Sequence, residues 1–337
     1  MDSAVFERPA SDRKRPFVLY ADLAEDAASK SWLVGNMLGC GEMSAFYGAP
    51  GCGKGVIVED MGLHIAGGME WHGRPVTRGA VLYVALERKK LVERRAIAFR
   101  KRHDLPDLPF AIAGGVYDFR TPATAHQVAE ICGQVQAATG ESVVLIIVDT
   151  LSRALSGGDE NSPKDMGAVV AATGFLQEKT GAHVLWVHHI PHDGDRLRGH
   201  GALLGAVDTT VSVSRNGNVR TAAVVKANDS EEGESVSFTI EGVDISNDGT
   251  TAPVAVPVLA AAAPTGRKPT LTKNQQTLFA MLHDAGQSGL ALEDWNTQAR
   301  EADIGTKRKA DLNDIRAALK SKGLIRQIDD RWMVSHE

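Results

Sequence analysis

From about residue 31 the chain alternates short apolar runs with longer amphipathic stretches. The runs are Ser44–Tyr47 (SAFY), Ala80–Ala85 (AVLYVA), Phe110–Ala113 (FAIA), Val143–Val148 (VVLIIV) and Ala182–Val187 (AHVLWV). They are apolar at consecutive positions and mostly rich in β-branched residues. That suits strands covered on both faces, and hence a parallel sheet. Between them the spacing predicts helices over about 54–66, 89–103, 123–139 and 163–180. A repeated β-α alternation of this kind builds crossover units into a doubly wound α/β fold.

After residue 205 the pattern changes. Val207–Ser214, Val219–Ala227 and Val236–Glu241 alternate in polarity and are separated by Asn216-Gly217 and Glu232-Gly233, which predicts hairpin strands extending the sheet. Residues 247–270 are rich in Ala, Pro, Thr and Gly and read as a linker. Beyond it, helices are expected over about 272–284, 291–302 and 307–322, then short strands at Leu324–Ile328 and Trp332–Val334. Three helices and a hairpin make a winged-helix-like pattern. The expected organisation is an N-terminal arm (1–30), an α/β core (31–246), the linker (247–270) and a small C-terminal domain (271–337).

Composition narrows the class. A hydrophobic content of 43% and a charged content of 23% are those of a globular protein, and a net charge of −5 argues against a strongly basic nucleic-acid binder. Cys40, Cys52 and Cys132 show no metal-binding spacing and read as reduced thiols, which points to a cytoplasmic protein. The first residues are charged and lack the apolar centre of a signal peptide, and no apolar run approaches the ~18 residues that span a membrane.

The candidate chemistry begins at GAPGCGKG, residues 48–55. This is a phosphate-binding loop between a buried strand and a helix, the context in which the pattern carries weight. Gly48, Gly51 and Gly53, with Ala49, Pro50 and Cys52 between them, let backbone N–H groups turn toward phosphates, and the following helix points its positive end at them. Lys54 adds a point charge. Gly55 stands where the pattern has Ser or Thr, whose hydroxyl normally ligates Mg²⁺. Asp149 closes VVLIIV and is the candidate magnesium ligand, acting through water. Thr150 beside it offers a hydroxyl. Glu87, at the end of AVLYVALE, is placed to polarise a water, or else is a surface carboxylate before a basic helix. His188 and His189 end the fifth strand. One of them is a candidate sensor of the γ-phosphate, and chemistry alone does not choose between them.

The collinear runs GEMSAFYGAPGCGKG, WHGRPVTRGAVLYVALE, VVLIIVDTLSRALSGGDENSPKDM and VLWVHHIPHDGDRLRGHGALLGAVD resemble the RecA-like ATPases of the plasmid RepA type, over about residues 31–230. These are hexameric replicative helicases and their AAA-named relatives in phages and mobile elements. The resemblance implies a RecA-like P-loop core binding ATP and Mg²⁺, with Glu87 as the catalytic carboxylate and Asp149 as the acidic residue at the metal. It also implies a homo-oligomer, a hexamer in such enzymes, in which a neighbour completes each site. Arg215 best matches the arginine supplied in trans, and Lys226 is a second such cation. The sequence departs from the pattern at Gly55 and at His200-Gly201, where relatives often carry small hydroxyl residues.

Single-stranded DNA is the implied partner, contacted by the loops at about 151–165 and 190–204. Arg153 in the first and Arg196, Arg198 and His200 in the second are the candidate contacts. The basic helix after Glu87 reads first as a solvated face. The C-terminal domain, slightly basic where the rest of the chain is acidic, would bind either DNA through its third helix or a replication partner. The expected function is an ATP-driven helicase or replication protein. The alternatives are an ATP-dependent regulator or adaptor without unwinding activity, and a small-molecule kinase.

Overall fold

The computed structural model of the protein describes residues 20, 30–105, 107–189, 201–229, 233–258, 271–306, 309–321, 324–328 and 331–334. The chain divides into two compact units, Met1–Ala263 and Pro264–Glu337. Of the expected N-terminal arm only Tyr20 and Lys30 are described.

The first unit opens with a small antiparallel pair, β1 (Trp32–Val34) and β2 (Leu38–Gly39). The α/β succession follows: β3 (Met43–Gly48), α1 (Lys54–Gly67), β4 (Ala80–Ala85), α2 (Lys89–His103), β5 (Phe110–Gly114), α3 (Pro122–Thr139), β6 (Val143–Asp149), a short α4 (Leu151–Ala154), α5 (Pro163–Thr180), β7 (His183–His189) and α6 (Gly201–Ala206). It ends in the meander β8 (Thr209–Asn216), β9 (Val219–Ala227), β10 (Ser235–Asp244) and β11 (Thr251–Pro257).

Nine of these strands form one sheet in the order β11-β10-β9-β8-β3-β7-β6-β4-β5. From β8 to β5 all neighbours are parallel, and β9 to β11 continue antiparallel. The α/β class and the mostly parallel sheet read from the sequence are therefore present. Alternation explains the continuous apolar runs. Val81 and Tyr83 of β4 pack on one face with Ile57, Met61 and Ile65 of α1, while Leu82 and Val84 pack on the other with Val128 of α3 and Val169 of α5. Pro122 and Pro163 open α3 and α5 in the first turn, where proline costs no hydrogen bond, and Ser162 caps α5 by accepting from the Asp165 N–H.

The linker reading needs correction. Thr251–Pro257 is the edge strand of the sheet, paired with β10 from Asp244↔Thr251 to Phe238↔Pro257. The segment TAPVAVP alternates, and Ala252 and Val254 are buried against Ala98 of α2. Proline is tolerated on an edge because it need not donate to an outer neighbour. Composition suggested a spacer where alternation specified a strand.

The second unit contains α7 (Lys273–Asp284), β12 (Leu290–Ala291), α8 (Leu292–Glu301), α9 (Lys309–Ser321), β13 (Ile325–Ile328) and β14 (Arg331–Val334). Its strands form an antiparallel sheet in the order β12-β14-β13 around a core of Leu278, Leu282, Trp295, Leu312, Leu319 and Ile325. A capping box between Thr272 and Gln275 starts α7. On α9, Arg316 is turned inward: it is buried and donates to Asn296 Oδ1 at 2.6 Å. It therefore does not join the cations that helix offers to solvent.

Candidate active site

The phosphate loop leaves β3 at Gly48 and enters α1 at Lys54. A Cβ on Gly48 would drive into the Val213 carbonyl oxygen of β8 and the Cys52 sulfur, so the strand must carry glycine there. Gly53 precedes α1 with φ 104°, a left-handed conformation that glycine adopts without steric cost. Ala49, Pro50 and Gly51 form the exposed tip, while Cys52 lies beneath it with its thiol 3.8 Å from Lys54 Nζ. Lys54 is buried, and its ammonium donates to the Gly48 and Ala49 carbonyls at 2.7 and 3.0 Å. Burial lowers its pKa, offset in part by Cys52, Asp149 and Glu87. The ammonium is thus held inside the loop on bonds that phosphate oxygens can replace.

Two carboxylates meet this lysine at the C-terminal edge of the parallel strands, where ligands bind in open α/β sheets. Asp149 ends β6, and its Oδ2 accepts from the Tyr83 hydroxyl at 2.7 Å. Burial raises its pKa, against the lowering effects of the Tyr83 hydrogen bond, Arg95 and Lys54. Glu87 follows β4, whose last register pair is Ala85↔Asp149. Its Oε1 accepts from Thr150 Oγ1 and Arg153 Nε, both at 3.3 Å. Arg153, expected to face DNA, therefore lies on the Glu87 carboxylate.

The structure separates the two histidines. His189 shares a sheet face with Leu185, Val187 and α1; burial lowers its pKa, followed by the charge of Lys54. His188 is buried on the opposite face, with Nε2 4.0 Å from the Glu160 carboxylate. The charged neighbours of His189 include Lys54 and Glu87.

Arg215 is exposed at the end of β8, beside the loop edge of its own sheet, and donates to the Gly217 carbonyl. Lys226 lies at the other end of the β8–β9 pair, opposite Thr210, where it donates to the Val207 carbonyl at 2.7 Å. Within one chain, then, Lys226 is not brought to the loop. Arg196, Arg198 and His200 lie outside the described residues.

Three residues that sequence reasoning passed over also belong here. Arg220 pairs with Arg215 across the hairpin and lays its side chain over Gly53, where a Cβ would come within 2.8 Å of Arg220 Cδ. Arg95 of α2 reaches Gly55, with Nη1 3.1 Å from the position a Cβ would take. It donates from the same nitrogen to Glu59 of α1 at 3.3 Å. Burial raises the pKa of Glu59 strongly, opposed by Arg95. The signals were present. The hairpin turns at Gly217-Asn218, with Asn216 paired to Val219, which sets residue 220 against 215, and Val92, Arg95 and Phe99 fall at i, i+3 and i+7, so Arg95 sits on the apolar stripe of α2.

Residues 8–195, more than half of the chain, match the model of a family described as an AAA domain. The chain belongs to the AAA domain family. The matched range includes the phosphate loop, Glu87, Asp149 and both histidines. A solved structure described as an ATPase domain aligns with 63% of this chain and 84% of its own length, at 14% identity and a TM-score of 0.46. No curated protein matches.

An AAA domain built on a P-loop core is an ATPase, and such proteins usually employ magnesium. The residues fit an ion that arrives on nucleotide phosphates: Asp149 is a carboxylate at the loop and Lys54 lies beside it. Gly55 offers no ligand, and among the described residues no group of three or more His, Cys, Asp or Glu is placed to hold a metal alone. No helix among the described residues is long and apolar enough to cross a membrane.

Proposed function

We propose that the chain hydrolyses ATP to act on DNA, as a ring-forming replicative helicase or replication protein of a plasmid, phage or integrated element. The observation that supports it best is the convergence of Lys54, Asp149 and Glu87 on one sheet edge, with Arg215 exposed at the same edge. In this reading the phosphates take the Lys54 ammonium from the Gly48 and Ala49 carbonyls. Glu87, held at Oε1 by Thr150 and Arg153, uses its carboxylate to orient the attacking water and accept its proton. His189 hydrogen-bonds near the γ-phosphate. Magnesium, held by Asp149 through water, would neutralise phosphate charge.

Arg215 of a neighbouring copy completes the site, a contribution worth about 10³–10⁵ in rate where an arginine acts in trans. The segments at 151–165 and 190–204 would meet a single strand, and hydrolysis would reposition the second against it. The second unit would dock DNA or a replication partner. A forked DNA substrate tests the whole proposal: strand displacement that needs ATP is expected. An assembled ring that hydrolyses ATP without displacing the strand would favour the second reading, a regulator or adaptor whose nucleotide controls assembly. Gly55, which removes one metal ligand, is the observation on that side.

A further inference from the structure

The place of the missing hydroxyl is filled by a cation. A Cβ built on Gly55 would lie 3.1 Å from Arg95 Nη1, 3.9 Å from its Cζ and 3.5 Å from Asp149 Oδ2. Even the Cβ of a serine or threonine here would crowd the guanidinium. Arg95 is held there from two directions. Its position on the apolar stripe of α2, between Val92 and Phe99, turns it toward α1 and leaves its side chain 14% exposed, whereas Arg94 and Arg100 on the same helix face solvent. Glu59, one helical turn after Gly55 on α1, is 1% exposed and receives the Arg95 hydrogen bond. The Arg95 Nε is buried with no hydrogen-bond partner among the described residues. A guanidinium oriented by a buried carboxylate, beside a phosphate loop, has the chemistry of a phosphate clamp.

We propose that Arg95 binds the β- and γ-phosphates of the nucleotide in its own subunit, taking the part that a hydroxyl-anchored magnesium ion plays where position 55 is Ser or Thr. The inference rests on reading the crevice as an ATP site. The pairing of residues is reciprocal. Glycine at 55 makes room for the guanidinium, and the guanidinium supplies a fixed positive charge where glycine withdraws a metal ligand. Arg95 brings its positive charge to the phosphates without the ion, so holding nucleotide depends less on magnesium, while Asp149 would still hold the ion through water for the chemical step. Glu59 keeps the side chain aimed at the loop and accepts no phosphate itself.

Equilibrium binding of a fluorescent, non-hydrolysable ATP analogue to the full-length protein, with excess magnesium and with EDTA, tests this. The wild type is expected to lose less than about threefold in affinity on chelation, since Arg95 replaces the charge that magnesium brings. Arg95→Ala should lose about tenfold or more in EDTA, and Arg95→Lys, which keeps the charge without the planar fork, should fall between them. Because Arg95→Ala leaves Glu59 buried without its partner, the Arg95→Ala/Glu59→Gln pair repeats the measurement without that carboxylate. Adding Gly55→Ser to the pair should restore binding in magnesium and not in EDTA. Wild-type binding that collapses on chelation, or an Arg95→Ala/Glu59→Gln variant that binds like wild type in EDTA, overturns the proposal while leaving the ATP site standing. Absence of wild-type binding in both buffers overturns the ATP reading and this inference with it.

Discussion

At the scale of single residues, the division of labour between Lys54 and Glu87 is the sharpest consequence of the geometry. Lys54 is buried in the loop, whereas the Glu87 carboxylate stands beyond β4 and accepts from Thr150 and Arg153; the proposed function gives binding to the first and catalysis to the second. Glu87→Gln keeps the shape and can still hydrogen-bond Thr150 and Arg153, but it no longer accepts a proton. Phosphate release should fall by about 10²-fold or more while nucleotide affinity stays within about threefold, as loss of a general base predicts. Phosphate release at the wild-type rate would move water activation to another group. Sequence reading singled out Lys54 from the phosphate-loop pattern and Glu87 from its place at the end of an apolar strand. Arg95 and Glu59 were less legible for a physical reason: each becomes meaningful only when α1 and α2 pack together, and a helix with so many cations reads as a solvated face. The choice between His188 and His189 likewise needed the sheet, since adjacent strand residues face opposite sides.

At the scale of elements, close strand packing and buried charge set the stability of the site. β3 and β8 run parallel from Ser44↔Thr209 to Tyr47↔Ser212, and Gly48 meets the Val213 carbonyl just beyond. Because a backbone oxygen cannot step aside, Gly48→Ala should destabilise the first unit by roughly 1–3 kcal/mol, the usual cost of overpacking. Thermal denaturation would register this as a fall of several degrees, and an unchanged midpoint would mean that β8 can retreat. Asp60 of α1 is a second case. Burial raises its pKa to about 7, against the hydrogen bond it accepts from Trp71 Nε1 at 2.9 Å. Its folded value lies above an unfolded value of about 3.9, so the native state binds more protons between these values and stability falls as pH rises through that window. Asp60→Asn keeps an acceptor for Trp71 and removes the buried charge. It should raise the melting temperature at pH 8 and change it little at pH 5; an equal shift at both would place the effect in packing. Elements with strong periodicity, such as α5 and β4, were legible almost to the residue. β11 was not, because its prolines and alanines carry the composition of a spacer and its partner β10 had to be in place to show the edge.

At the scale of the whole molecule, the open question is whether one chain makes one site. Lys54, Asp149 and Glu87 come together within a single chain, so on the proposed function neither binding nor water activation needs a neighbour. Arg215 is exposed on the β8–β9 hairpin and donates to the carbonyl of the turn that follows it. An exposed arginine at that edge is available to a second copy, and a head-to-tail contact that repeats it gives a ring where its rotation closes and an open filament where it does not. The prediction concerns complementation. Glu87→Gln and Arg215→Ala should each be nearly inactive alone, and both should still assemble by mass measurement in ATP and single-stranded DNA. If Arg215 acts in trans, a site between an Arg215→Ala copy that keeps Glu87 and a Glu87→Gln copy that keeps Arg215 is intact. Random equal mixing makes about a quarter of the interfaces of a head-to-tail ring complete, so ATPase activity should recover to about that fraction. If Arg215 serves its own subunit, no mixed interface unites the two groups and mixing restores nothing. A mass equal to one chain under every condition would likewise exclude action in trans.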